Sequence, residues 1–153
     1  MNHPGVYIPP PIFFITTFVA AVFIQRWLPI NWGFFDSKLA NAIGVFILFI
    51  GLLFVIPALY RFAKSKNTVI TVKPANTLQT SGIYAISRNP MYVSLLLLYL
   101  GFTCIIGNWW NIILAPILVL VVQEYIIKRE ERYLDQRFGQ AFKNYKLRVR
   151  RWI

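Results

Sequence analysis

The sequence predicts an all-α integral membrane protein with about four transmembrane helices, and three observations carry that prediction. Hydrophobic residues make up 58% of the 153 positions and the mean hydropathy is +0.57. Only 14% of the residues are charged, where a soluble domain carries about 25%. Finally, four segments approach the length of about 20 apolar residues that a helix needs to cross the hydrocarbon core. Disorder, a coiled coil and an ordinary cytosolic enzyme are excluded by the same numbers. The length fits one domain, so residues 1–153 are read as a single membrane unit.

The spans follow in order along the chain. The first covers residues 11–28, with Arg26 its only charge, and the second covers residues 39–60 with none. Residues 91–107 form the third and residues 109–127 the fourth, which holds Glu124 near its end. Only Gly107-Asn108 separates the last two, which requires a tight antiparallel hairpin. Trp27, Trp32, Tyr60, Trp109, Trp110 and Tyr125 fall at span ends, where amphipathic rings prefer the interface. The first span lacks a basic leader and a small-residue cleavage site, so it reads as a retained helix. Gly44 and Gly51 share one face of the second span and invite a closely packed neighbour. Pro57 and Pro116 are expected to kink their helices.

Charge sets the expected orientation. The formal charge is +11, and 14 of the 16 Lys and Arg residues lie in the connector 61–89 or the tail 128–153. With four spans these segments share one side, and the positive-inside rule makes that side cytoplasmic, together with both termini. A basic face against an anionic leaflet accounts for the cations without nucleic acid. The opposite side offers a short loop near Asp36 and Lys38 and the Gly107-Asn108 turn, too little for a site. Any chemistry therefore belongs at the cytoplasmic face.

Two constellations stand there. The connector is long for a loop without structure of its own. It holds the β-like run Thr68-Val69-Ile70-Thr71-Val72 before Pro74, apolar anchors at Leu78, Ile83, Tyr84 and Ile86 around Gly82, and then Arg88-Asn89-Pro90-Met91-Tyr92. Asn89-Pro90 is good grammar for opening a helix, and a helix N-terminus at the membrane surface also suits a carboxylate or phosphate. The second constellation is Arg129-Glu130-Glu131-Arg132. At about 100° per residue, Glu131 falls on the apolar stripe of Ile127, Leu134 and Phe138, with Glu130 beside it. Glu124 shares that face, and Lys128, Arg129 and Arg132 face away. Two inward carboxylates without matching cations in view point to a cationic ligand, because an unpaired buried charge is costly. The alternative is a solvated juxtamembrane charge cluster. Gly139 is placed to end that helix.

Other chemistries lack their residues. The single His3 and the single Cys104 build no metal site. There is no Ser/His/Asp set, phosphate-binding loop or dinucleotide fingerprint.

The stretch Leu78-Gln79-Thr80-Ser81-Gly82-Ile83-Tyr84, followed by Arg88-Asn89-Pro90-Met91-Tyr92, resembles the isoprenylcysteine carboxyl methyltransferase family. So do Glu130-Glu131-Arg132-Tyr133-Leu134, Phe138-Gly139, Phe142 and Tyr145-Lys146. That family stands with the membrane phospholipid N-methyltransferases, and the resemblance covers roughly residues 67–153. It implies S-adenosylmethionine held by the connector and the C-terminal helix, with S-adenosylhomocysteine as product. Glu130 and Glu131 would hold the donor's charged amino-acid end. Asn89, Pro90 and Tyr92 would line the pocket, with Leu78, Gly82 and Tyr84 around the adenosine. Arg88 and Asn89 are the candidate catalytic residues, Arg88 orienting an acidic acceptor group. Asn89 stands where the carboxyl methyltransferases usually have His, as in the phospholipid and broader bacterial branch. The implied acceptor is lipid-like or hydrophobic, a prenylcysteine-type carboxylate or a phospholipid amine, reached from the surrounding membrane lipids. The competing reading is a non-enzymatic four-helix scaffold or transporter subunit. The few polar residues within the spans provide no continuous hydrophilic path for transport.

Overall fold

The computed structural model describes residues 5–64 and 77–153. Helix α1 spans Pro10–Trp27, and α2 spans Lys38–Lys64 after a 3-10 turn at Phe34–Asp36. A second 3-10 turn at Gly82–Ala85 precedes α3 (Pro90–Ile106). Helix α4 (Trp109–Val121) continues through a π segment, Val122–Ile127, into α5 (Lys128–Phe138), and α6 spans Gln140–Arg148. No strand occurs among the described residues. The β-like run at 68–72, Pro74, Lys66, Lys73 and His3 lie outside them.

The architecture is the all-α membrane fold that the sequence predicts. Three rods are long and apolar enough to cross a bilayer: Pro10–Trp27, Lys38–Arg61 within α2, and Trp109–Phe138. The fourth apolar helix, α3, has 17 residues. Large apolar side chains such as Phe23, Phe46, Phe49, Ile56, Ile117 and Leu120 point away from the protein. That is the expected arrangement where lipid tails replace water as the solvent. The 30-residue rod Trp109–Phe138 is about 45 Å long, longer than the hydrocarbon core of about 30 Å. Its charged last third, from Lys128 onward, therefore stands outside the spanning segment.

Local chemistry fixes the helix ends. Pro10 occupies the first turn of α1, where no backbone donor is needed. The Ser37 hydroxyl accepts from the Ala40 N–H at 3.1 Å and caps α2. The predicted hairpin is present: α3 stops at Gly107 with φ +72°, a left-handed conformation that glycine adopts freely. Asn108 then accepts the Trp110 N–H at 2.9 Å and starts α4. At this end Trp109 lies 4.6 Å from the rings of both Trp32 and Phe35, and Trp110 Nε1 donates to the Leu28 carbonyl at 2.7 Å.

Glycine lets α2 and α3 approach most closely. A Cβ on Gly44 would lie 2.9 Å from the Gly101 carbonyl oxygen, and one on Gly51 would lie 3.3 Å from the Leu97 and Leu98 side chains. Both positions match the small-residue face read from the sequence. Pro57 and Pro116 sit inside helices that continue past them. The core joins α1, α3 and the α4 rod through Phe14, Tyr92, Tyr99, Leu118, Val122 and Ile126. Within it the Tyr99 hydroxyl is 3.0 Å from both the carbonyl and Oδ1 of Asn111.

One expectation fails here. Glu124 does not share the inward face with Glu131: it is exposed and pairs with Lys128 at 2.6 Å. The π segment Val122–Ile127 explains the difference. Its wider turns break the regular advance of about 100° per residue, so residues on either side no longer share one wheel.

Candidate functional site

The basic end of the bundle gathers the last part of the connector, the start of α3, α5, α6 and the residues after α6. Gly82 takes φ +64°, and a Cβ there would run into the Arg61 guanidinium. Arg61 also donates to the Ser81 hydroxyl. The following turn buries Tyr84, whose carbonyl accepts from the Tyr145 hydroxyl at 2.6 Å. Leu78 packs on a small core of Phe142, Tyr145 and Val149. Leu78 and Tyr84 thus hold α6 against the connector, while Gly82 lies against Arg61 of α2.

Asn89 occupies the position before the first residue of α3, yet its side chain does not cap the helix. Its carbonyl accepts the first intrahelical bonds, from the Tyr92 and Val93 N–H groups at 3.0 and 3.1 Å. Its Nδ2 instead donates 2.9 Å to the Arg151 carbonyl, and the buried Ser87 hydroxyl donates to the same oxygen at 3.5 Å. The Arg88 N–H donates to the Arg150 carbonyl at 3.0 Å. Residues 149–152 therefore lie as a strap across the start of α3. The Trp152 indole closes the strap by donating to Gln123 Oε1 at 3.1 Å.

The two carboxylates of α5 have different surroundings. Glu131 is 14% exposed and meets two guanidiniums, Arg88 Nη2 at 3.0 Å and Arg151 Nη2 at 2.7 Å, with Arg151 Nε at 3.1 Å. The expectation of two inward carboxylates without cations is therefore corrected for Glu131. Its partners come from the connector and the strap, segments that a helical wheel does not contain. Glu130 accepts from the Tyr92 hydroxyl at 2.8 Å, and no cation among the described residues lies within ion-pair distance of it. Burial lifts its carboxyl from an ordinary 4.5 to about 7; the Tyr92 hydrogen bond opposes that rise and the Glu131 charge adds to it. Arg129, expected to face away, packs over the Tyr125 ring at 4.3 Å and donates to the Gly5 carbonyl at 3.1 Å.

Arg88, Asn89, Pro90, Tyr92, Glu130 and Glu131 are thus gathered at one end of α3 and α5. Arg88 is 11% exposed on its side chain, and its buried Nε has no hydrogen-bond partner among the described residues. A charged cleft of about 370 Å³ opens on the Glu131 side of this group, with Glu131, Arg132, Asp135, Lys146 and Arg151 in its wall; Glu130, Tyr92 and Asn89 do not line it. No cluster of His, Cys, Asp and Glu fit for a metal occurs among the described residues. Chemically the arrangement can seat a cation at Glu130 and hold two guanidiniums on Glu131 next to it. Sequence reasoning missed Ser87, Arg151 and Trp152. Arg151 carried no signal, being one of nine cations in the tail.

A phospholipid methyltransferase family model matches residues 39–141, well over half of the chain. An uncharacterized protein of Haemophilus influenzae is 44% identical over 66 residues, which is 41% of this chain and the whole of that protein. A protein-S-isoprenylcysteine O-methyltransferase of Schizosaccharomyces pombe is 33% identical over 72 residues. That match takes in 47% of this chain and only 30% of the yeast protein. No solved structure matches the chain.

Proposed function

The chain belongs to the phospholipid methyltransferase family, and on that premise we propose that it takes a methyl group from S-adenosylmethionine, releases S-adenosylhomocysteine and methylates a lipid-like or hydrophobic acceptor. The site faces the cytoplasm in this reading, as the cations at the same end suggest. The observation that carries it is Glu130: a desolvated carboxylate with a phenol partner and no cation among the described residues, at the basic end of the bundle.

The residues present fit the donor. Its amino-acid end bears an ammonium beside a carboxylate, with the sulfonium further along the same chain, and Glu130 has the sign to receive the ammonium. S-Adenosylmethionine supplies an electrophilic methyl on sulfonium, transferred by in-line displacement. The protein's part is to position and to exclude water. Glu130 seats the cationic end, with Tyr92 fixing the orientation of its carboxylate. Glu131 holds Arg88 at the start of α3, where its guanidinium can orient an anionic group of donor or acceptor. Asn89 ties that turn to the strap. Leu78 and Tyr84 hold α6 in place, and together with Gly82 they wall the adenosine side. The acceptor enters from the bilayer between apolar helices, and the donor enters from the charged cleft on the Glu131 side.

A non-enzymatic scaffold is the other class of reading. A desolvated, cation-free carboxylate costs stability and serves no purpose in a scaffold. Calorimetry with S-adenosylmethionine on detergent-purified protein tests the proposal, and we expect saturable binding competed by S-adenosylhomocysteine. Turnover is then sought with prenylcysteine analogues, phosphatidylethanolamine and small hydrophobic thiols or acids. Absence of donor binding in protein that retains its fold would return the chain to the scaffold reading.

A further inference from the structure

Arg151 is held by two kinds of contact of its own and by those of its neighbours. Its carbonyl receives Asn89 Nδ2 and the Ser87 hydroxyl, its guanidinium grips Glu131 through two nitrogens, and its neighbours in the strap bond to Arg88 and Gln123. The backbone bonds fix where the strap lies, and the side chain reaches from it to α5. Glu131 is left with no free oxygen: Oε1 meets Arg88 and Arg151 Nε, and Oε2 meets Arg151 Nη2. Glu130, one residue earlier, has no cation among the described residues.

From this contrast we infer that Arg151 is a positioning residue of the donor site, acting through Glu131. By sharing Glu131 with Arg88 it removes that carboxylate as a competing seat for a cation. The cationic end of the donor is thereby directed to Glu130, and Arg88 is held at the mouth of α3. Without the Arg151 side chain, Glu131 would keep one guanidinium, and its Oε2 would face the cleft. A cationic ligand would then meet two carboxylates of similar standing one residue apart, and its register would be lost. This inference rests on the donor reading above and adds the part played by the strap.

The test uses the full-length protein in detergent, with S-adenosylmethionine as ligand. Arg151→Ala should weaken donor binding about tenfold, as expected when a charge-assisted contact is lost, while Arg151→Lys recovers part of the loss. In a Glu131→Gln background Arg151→Ala should add little, because both changes break the same contact. Arg148→Ala, on an exposed residue of α6, should leave binding as in the parent. Hydrogen exchange of residues 149–152 separates positioning from collapse. Faster exchange confined to the strap, with an unchanged thermal midpoint, accompanies a positioning role. A purely structural role would lower the midpoint and slow turnover without changing donor affinity, and it would overturn the inference. A parent that binds the donor and an Arg151→Ala variant that binds equally well would overturn it alone. A parent that binds no donor would overturn the functional reading and this one with it.

Discussion

The Tyr92 hydroxyl donates to Glu130 Oε1 at 2.8 Å, joining the first turn of α3 to α5 across 38 positions of sequence. The contact gives a desolvated carboxylate one good partner and leaves its charge unmet. On the proposed reading Glu130 is a cost to the protein that a cationic ligand would relieve.

A pH dependence follows from the carboxyl's rise from 4.5 to about 7. Folding favours the protonated form, so its stabilising contribution is complete below the unfolded value and is lost as pH rises through about 7. The thermal midpoint of the empty protein should fall between pH 5 and pH 8, and Glu130→Gln should flatten that part of the profile. Binding of a cation needs the ionised form, so donor affinity should strengthen as pH rises through the same window. A thermal melt and a calorimetric series at matched pH read the two opposite slopes. Parallel slopes would remove Glu130 from the role of cation seat.

Glu130→Gln should also weaken donor binding at pH 8 by roughly ten- to a hundredfold, the cost of one charge-assisted contact at about 1.5–3 kcal/mol. Tyr92→Phe should cost less, because it removes a neutral donor and leaves the charge in place. Fluorescence or calorimetric titration orders the two variants. A larger loss in Tyr92→Phe would assign the binding energy to the phenol.

Much of this arrangement is legible in the sequence. Gly107-Asn108 announced the hairpin because a left-handed stop and a side-chain cap are local events. Glu130-Glu131 stood out because charges that fall on an apolar stripe are rare. What failed has two physical sources. Glu124 was misplaced because a π segment changes helical phase without a distinctive residue pattern. Glu131 was thought to lack cations because Arg88 and Arg151 reach it through tertiary structure, and the strap carrying Arg151 is placed by backbone carbonyls that every residue has.

Close packing of α2 on α3 gives a prediction independent of function. Gly44→Ala places a methyl 2.9 Å from the Gly101 carbonyl oxygen and 3.0 Å from Cys104 Cβ, whereas Gly51→Ala meets leucine side chains at 3.3 Å. Backbone cannot yield as a leucine rotamer can. Gly44→Ala should therefore destabilise by about 1–3 kcal/mol and Gly51→Ala by less, read from unfolding in detergent. Equal losses would mean that the two helices stand further apart than described.

Orientation is tested by labelling. Gln140 lies exposed at the basic end, and Trp32 is 69% exposed at the other. The native Cys104 is buried and leaves a clean background. In intact cells Gln140→Cys should resist a membrane-impermeant maleimide and react only after permeabilisation, while Trp32→Cys should react from outside. The reverse pattern would place the candidate site away from the cytoplasmic donor pool.

The last prediction concerns Asn89, which the sequence presented as a cap or a cofactor contact. Its amide does not cap α3: it donates to the Arg151 carbonyl at 2.9 Å. Asn89→Asp removes that donor and sets a carboxylate against a carbonyl oxygen, so the strap should detach locally. The lost bond is worth about 0.5–1.5 kcal/mol, while Asp would serve the helix N-terminus as well as Asn does. The thermal midpoint should therefore move little, donor affinity should fall, and exchange at residues 149–152 should quicken. Asn89→His keeps a ring N–H in reach of the same carbonyl and should preserve more of both properties than Asp does. If Asn89→Asp retains full donor affinity with an intact strap, the amide does not hold the strap and Asn89 is only the residue from which α3 starts.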